Sequence, residues 1–536
     1  MSTPSIAIVG AGPGGLAAAI LLASSGLRVT IYEACDQVGG RSGQLVRDGF
    51  RFDRGPTFFM MPYVLDEILA AAGRRLGDLV ELRRLDPMYR LLVGQPMREP
   101  RSAGTIELDR SGAPVDGRDA TPNAASPITI DAVQDIDRMA AQLERVRRGD
   151  GDGFRRFMRD NRTKLRLMTP ILRSPMRSML DLATADALRV GPWLKPWQSL
   201  HDHLGGYFRD DSVRLAMSFQ SKYLGMSPFE CPSLFSILPF IEYEYGIWHP
   251  IGGCHALMRA MAGVAEELGV DIRCGEPVTA LRFAGRRVTG VCADGAWRDH
   301  DHVVINADAT WAMKTLIPES LRGRATDAAI DARDYSCSTF MMYLGVRGEI
   351  DLPHHTIYTS ASYRSNLADI GEGRLGDDPS FYVCNPSRLD GSLAPPGCSS
   401  LYVLVPTPNT KAPIDWRSAR DRLRRDAYGQ MARVLGLRDL AERVVSETTF
   451  TPDDWRAMNI NHGATFNLSH SLSQMLHRRP QHRLPGLDGV WLVGGGTHPG
   501  SGLPVIFLSS QITARLLCDE VGATGAAVPA DDRFAA

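Results

Sequence analysis

The tightest constraint on the fold lies at the start of the chain, where residues 6–43 read IAIVGAGPGGLAAAILLASSGLRVTIYEACDQVGGRSG. "IAIVG" is a short apolar run of the kind found in strands buried on both faces, "GLAAAILLASSG" predicts a helix ending at Gly26, and "RVTIYE" predicts the next strand. The three make a β-α-β unit of a parallel sheet. Gly10, Gly12 and Gly15 fall at its turn and helix start, where missing side chains permit a tight turn, close backbone approach to a pyrophosphate and close helix packing. Glu33 ends the second strand, where a carboxylate accepts hydrogen bonds from ribose hydroxyls and repels a 2′-phosphate. The expectation is a dinucleotide site.

At 536 residues the chain exceeds what one hydrophobic core ordinarily serves, so two or three domains are expected. Its 44% apolar and 23% charged residues are those of a soluble globular protein. Sixty basic against sixty-one acidic residues leave a formal charge of −1, which supplies no drive toward nucleic acid. The nine cysteines are scattered and never in C-x-x-C spacing, so neither a disulfide framework nor a metal site is expected. The N-terminus runs almost directly into a strand without a secretory signal, and a cytoplasmic location is expected. Apolar runs such as "LAAAILLA" and "LFSILPFI" are short of the roughly 20 residues that span a bilayer, which leaves peripheral membrane contact open.

The stretch after Glu33, "GGRSGQLVRDGFRFDRGPT", contains Gly39, Gly40 and Arg41 and, after a hairpin-like excursion, Gly55, Pro56 and Thr57. A glycine pair permits close approach, and Arg41 has a fixed fork of donors suited to phosphate oxygens, although a solvated turn arginine reads the same way. This stretch resembles the GG-doublet flavoproteins. The resemblance implies FAD, with the Gly-Gly-Arg turn closing over the diphosphate and the Gly-Pro-Thr backbone near the isoalloxazine.

Two later blocks fit that resemblance. "WHPIGGCHALMRAMAGVAEELGVDIRCGEPVTALRFAGRRVTGVCADG" predicts loop, helix, strand and hairpin, and "DHVVINADA" predicts a further strand of the first sheet. The resemblance places Val278 where its backbone meets adenine; a plain core valine is an equal reading. "GVWLVGGGTHPGSGLPVIFLSSQITARLL" predicts a strand, a turn at Gly494, Gly495 and Gly496, and a helix starting near Leu503 or Pro504, just after Gly502. A helix N-terminus there could face the flavin pyrimidine edge. A structural strand-turn-helix has the same pattern.

Over nearly its whole length the chain resembles the bacterial and fungal phytoene desaturases and their carotenoid-oxidising relatives. Besides the flavin-side blocks, the likeness rests on "KYLGMSPFECPSLFSILPFIEYEYGIWHPIGG", "DPSFYVCNPSRLDGSLAPPG", "LYVLVPTPN" and "NHGATFNLSHSLSQMLHRRP". It implies an α/β fold: a discontinuous, Rossmann-like GG-doublet FAD domain (1–96, 246–325 and 485–522), a helical, membrane-associated region (97–245), and a mixed α+β substrate domain (326–484). A flexible tail (523–536) follows. Residues 97–130 are longer and more polar than the family's usual strand pair and read as an inserted surface loop. The "GGGTHPGSGLP" block leans toward the carotenoid-modifying relatives, whereas Leu508, Ser509 and Ser510 depart from their usual continuation.

Removing a hydride and a proton from an unactivated carbon pair needs a two-electron acceptor that no side chain provides and FAD does. The resemblance therefore implies desaturation of an apolar carotenoid at a membrane surface, with oxygen or a quinone as final acceptor. Terminal-methyl oxidation, a retinol-saturase-like reaction and a non-catalytic flavin-binding role stay open. The absence of an evident polar cage weighs against amines. His498 is the candidate acid/base, because imidazole titrates near neutrality and the 497–499 block is expected beside the flavin, with a turn-stabilising role as its alternative. His249 and His470 read as structural.

Overall fold

The apolar run at the start of the chain becomes the middle strand of a five-stranded parallel sheet because both of its faces are covered. In the computed structural model, which describes residues 3–95 and 126–525, Ser5–Val9 lies between His302–Ile305 and Arg28–Glu33. Val490–Leu492 and Asp271–Cys274 complete the sheet at its two edges. Three separated stretches of chain thus make one sheet, as the first two blocks and the last predicted.

Helices Pro13–Ser24, Cys254–Glu267 and Leu503–Val521 share one apolar cluster with the sheet. The alanines of the first helix keep it thin, and Ser510 Oγ on the last helix donates to the Gly14 carbonyl at 2.8 Å. The first helix stops as predicted: Gly26 has φ 79°, its N–H reaches the Ala23 carbonyl, and the Leu27 N–H reaches that of Leu22. A three-stranded antiparallel sheet, Val278–Ala284, Arg287–Ala293 and Ala296–Asp299, joins helix Ala309–Leu316 in a second cluster with Ala7 and Val303.

The second large sheet has seven strands, ordered Val444–Phe450, Ser338–Arg347, Cys398–Thr407, Phe381–Cys384, His355–Thr359, Tyr89–Val93 and Ile128–Ala132. It is antiparallel except where His355–Thr359 meets Tyr89–Val93. Tyr89–Val93 therefore lies in this sheet although the range 1–96 groups it with the first. A buried apolar pentapeptide carries no local mark of which sheet will claim it. Ile128–Ala132, which straddles the end of the expected insertion 97–130, pairs antiparallel with Tyr89–Val93; residues 97–125 of that insertion and 526–536 of the expected tail lie outside the described residues.

Between the sheets lies a helical region with its own core, including Ile136–Val146, Asp150–Leu172 and Ile237–Tyr245. Among the described residues no helix is long and apolar enough to cross a membrane. The hairpin Gln44–Arg47/Phe50–Asp53 ties the two sheets together. Phe50 and Phe52 pack on Tyr343 and Tyr402 of the seven-stranded sheet, while the Asp53 carboxylate accepts the Cys254 and His255 N–H groups at the start of a helix of the other.

Gly345 is the close-packed point of that joint, because a Cβ there would lie 2.5 Å from the Phe50 ring. Gly345→Ala is expected to destabilise the protein by about 1–3 kcal/mol through overpacking, read as a lower urea midpoint with an unchanged m-value.

Candidate functional site

The first turn is shaped around one side chain, Asn306, which follows strand His302–Ile305. Its backbone N–H donates to the Val9 carbonyl and its amide Nδ2 to the Gly10 carbonyl, at 2.8 and 3.0 Å. A Cβ on Gly14 would lie 2.6 Å from Asn306 Oδ1, and one on Gly12 would lie 3.0 Å from Nδ2. Gly10 has φ 100°, and a Cβ on Gly15 would lie 2.1 Å from the Gly10 carbonyl oxygen. The helix begins at Gly12 with no side chain capping it, so its first N–H groups and positive dipole end are available to an anion.

The second glycine turn closes over the first. The Gly39 N–H donates to the Ala11 carbonyl at 2.8 Å, Gly39 has φ 113°, and a Cβ on Gly40 would lie 3.5 Å from the Gly12 Cα. Glu33 is buried, with its two carboxylate oxygens accepting the Ala11 and Cys35 N–H groups at 2.6 and 2.9 Å. It anchors the cradle from below and keeps lone pairs for a further donor. Val278, buried, begins its hairpin strand close by, where the Glu276 N–H donates to the Glu33 carbonyl.

Arg41 is held more firmly than a solvated turn residue. Its guanidinium donates to the Thr465 carbonyl at 2.6 Å and to Asn467 Oδ1 at 3.1 Å. The Asn467 amide in turn donates to Asp308 Oδ2 at 2.6 Å. Two of its five N–H donors are thus engaged and three remain. Burial lowers its pKa, with Asp308 opposing. Gly55 packs on the Arg41 carbonyl, which a Cβ would approach to 2.5 Å, and Thr57 Oγ1 lies 2.7 Å from the Tyr382 hydroxyl.

On the far side, Gly494 has φ 107°, a Cβ on Gly495 would lie 3.0 Å from Asn467 Oδ1, and one on Gly496 would lie 3.1 Å from Ala309 Cβ. Gly502, at φ 113°, precedes the buried Leu503 that opens the last helix, again with no side-chain cap. Arg479 braces this turn: it is fully buried and donates to the Gly495 carbonyl at 2.7 Å and the Thr497 carbonyl at 3.2 Å. Burial, with Arg333 adding to it, pushes its pKa down to about 9.

His498 is buried, and its Nε2 donates to the Ser174 carbonyl at 3.1 Å, just beyond helix Asp150–Leu172. Burial pulls its pKa down to about 4. His470 accepts the Ser501 N–H on Nε2 at 3.1 Å and sits where a Gly500 Cβ would fall. Both histidines brace the turn. Asn306, Asn467 and Arg479 carry no signal in the sequence as site residues, because Asn306 acts on Gly10 and Asn467 on Arg41, both hundreds of positions away, and Arg479 reads locally as one of the two arginines in "HRRP".

The donor set fits a dinucleotide cofactor. Two uncapped helix starts, glycines whose absent Cβ atoms leave the backbone bare, and the guanidiniums of half-buried Arg41 and buried Arg479, both with Asp308 as the acid beside them, favour an anion there.

Residues 13–518 match the family of flavin containing amine oxidoreductases. The chain is 40% identical over 519 residues to a 4,4′-diapophytoene desaturase (4,4′-diapolycopene-forming) of Methylomonas sp, covering 96% of this chain and 95% of that protein. It is also 40% identical over 529 residues to the all-trans-zeta-carotene desaturase of Myxococcus xanthus, covering 96% and 94%. Among solved structures, an oxidoreductase from Methanosarcina mazei aligns with a TM-score of 0.60 at 16% identity, over 94% of this chain and 98% of that one. A putrescine oxidase aligns at 0.58 and 16%, over 97% and 99%. At such identities the structural likeness concerns the fold.

The burial of His498 has a pH consequence. Its folded pKa of about 4 lies below the ordinary 6.5, so between those values the unfolded chain binds more protons and stability falls as pH drops. Near pH 5 the loss is about 2 kcal/mol. Urea unfolding at neutral pH and near pH 5 should show a loss in the parent that is smaller by about that amount in His498→Gln.

Proposed function

From its membership of the flavin containing amine oxidoreductase family, to which the chain belongs, and its kinship with carotenoid desaturases, this protein is an FAD-dependent carotenoid desaturase, and we propose that it works on a long acyclic carotenoid at a membrane surface. The observation that carries this reading is the junction of the glycine cradle with an apolar wall. Phe58, directly after Thr57, stacks on His355 with ring centroids 4.1 Å apart and packs against Tyr223 and Tyr382 at 5.3 and 5.6 Å. Phe58, like the partly buried Leu172, Leu238 and Met475, packs against the core of the helical region. A polyene offers almost no hydrogen bonds, so affinity has to come from such surface, at roughly 25 cal/mol per Å² buried.

When bound, FAD supplies the two-electron acceptor that the side chains lack. The Gly10–Gly15 turn and the Gly39–Arg41 turn would hold its diphosphate, Glu33 its ribose and the Val278 backbone its adenine. Gly55, Pro56 and Thr57, the Gly495–Gly496 turn and the Gly502–Leu503 helix start would supply the backbone around its ring system. His498 is a positioning residue that pins this last turn to the helical region, instead of the residue that moves the proton. Electrons leave to oxygen or a quinone.

The membrane contact falls on residues 179–197. Leu180, Leu188 and Trp197 are 81, 77 and 80% exposed, with Arg177, paired to Asp181, and Lys195 among their neighbours in the chain. Apolar side chains with basic neighbours suit an anionic interface. Leu188→Ser with Trp197→Ser should cut co-sedimentation with anionic liposomes severalfold while leaving flavin content unchanged; undiminished binding places the contact elsewhere.

Anaerobic incubation of the flavin-loaded protein with acyclic carotenes in liposomes tests the reaction. A loss of one hydrogen pair per step with flavin bleaching is expected, whereas an oxygen-requiring gain of carbonyl mass assigns an oxidase and inertness refutes both. Glu33→Arg should strip most of the flavin from the purified protein; unchanged flavin occupancy puts the ribose contact elsewhere.

A further inference from the structure

Beside Thr57 begins a chain of polar side chains that the cradle does not use. The Thr57 hydroxyl lies 2.7 Å from the Tyr382 hydroxyl, which lies 2.7 Å from His355 Nδ1. Tyr382 and Cys384 share a face of strand Phe381–Cys384, and Cys384 is the cross-strand partner of His355. The Cys384 thiol is 3.8 Å from His354 Nδ1. His354 Nε2 is 3.0 Å from His249 Nδ1, and His249 Nε2 is 3.2 Å from Asp390 Oδ2. Finally the hydroxyl of exposed Ser392 donates to Asp390 Oδ1 at 2.6 Å. His249, His354, His355, Cys384 and Asp390 are all buried.

The carboxylate sets the direction of the whole chain. Asp390 also accepts the Gly252 and Ser392 N–H groups, and these bonds with His249 hold its carboxyl well below the usual carboxylate range. Facing an ionised acceptor, His249 donates from Nε2. His249 then meets His354 through Nδ1, and in the relay that nitrogen accepts while His354 donates from Nε2. Burial holds His354 neutral and keeps the Cys384 thiol protonated, so the thiol is left to donate to His354 Nδ1. From the Cys384 thiol, with which the Tyr382 hydroxyl interacts, each donor points on toward Asp390, the sense in which a proton would travel outward.

We propose that Tyr382, Cys384, His354, His249 and Asp390 form a proton relay that carries the substrate's proton from the Thr57 side of the site to the surface at Ser392. The proposal rests on the functional reading above. Desaturation breaks two adjacent C–H bonds and forms one C=C bond; the hydride pair reduces FAD, and the remaining proton passes to Tyr382 as that hydroxyl gives its own proton onward. Asp390 takes up the proton at the outer end and yields it to water through Ser392. His354, His355 and Cys384 also place donor atoms within 4.8 Å of one another, a spacing open to a metal ion. Both ring nitrogens of His354 already have partners and the thiol is protonated, which favours the relay.

Two measurements test it. In the apoprotein, imidazole nitrogen NMR should find His249 and His354 both neutral and protonated on Nε2; an Nδ1–H tautomer or an imidazolium at either overturns the relay, as does a thiolate–cobalt absorption band on adding Co²⁺. In the holoenzyme, anaerobic mixing with carotene liposomes and a pH indicator should release one proton per flavin bleached, in step with bleaching. His354→Gln and His249→Gln should still bleach but release the proton at least tenfold later. Release that keeps pace in both variants refutes the relay and leaves the desaturase reading standing, whereas a parent enzyme that never bleaches refutes that reading and the relay with it.

Discussion

The Asn306 amide against the Gly10 carbonyl is the contact on which the site depends. It fixes the height of the first turn above the sheet, and the neighbouring glycines are glycines because the space their side chains would need is Asn306 or the turn itself. The Gly39–Gly40 turn then rests on Gly12, and the Gly494 turn approaches Asn306 from the other side. The two N-terminal glycine turns, Asn306 and the Gly494 turn meet within a few ångströms, leaving bare backbone N–H groups around a bed suited to a diphosphate.

Charge follows from that packing. Arg41 and Arg479 are drawn under the turns by carbonyl oxygens that would otherwise be buried without partners, and Asp308 with Asn467 joins the two sides. Burying guanidinium groups is costly, and the arrangement is favourable to the extent that an anion shares the site. The same logic governs the buried histidines: His470 and His498 stay neutral and serve as hydrogen-bonding braces, while His249 and His354 take their orientation from Asp390. A histidine near the cradle is therefore not a proton donor by virtue of its position.

The helical region and the seven-stranded sheet meet the cradle at Phe58 and Tyr382. One residue from Thr57, the lining changes from backbone amides to aromatic rings. Such a boundary suits a reaction between a polar cofactor and an apolar chain, because the substrate is desolvated along its length while the outgoing proton is offered hydroxyl and imidazole partners at one place.

Local pattern carried much of this. The helix stop at Gly26, the strand ending at Glu33, the helix starting at Leu503 and the hairpin after Cys274 were all legible, because each depends on residues within a few positions of one another. Sheet membership was not: Tyr89–Val93 is an apolar strand by any local reading, and its pairing with His355–Thr359 is a long-range choice. The roles of Asn306, Arg479 and the Asp390–His249–His354 chain were equally hidden, since an asparagine, an arginine or a histidine acquires its role from the carbonyl or carboxylate opposite it. The sequence by itself determined where backbone had to be bare and which segments would pair as β-α-β. The tertiary structure decided which polar groups face one another, because hydrogen bonds reach only about 3 Å and nothing in a linear pattern brings positions 249, 354 and 390 that close.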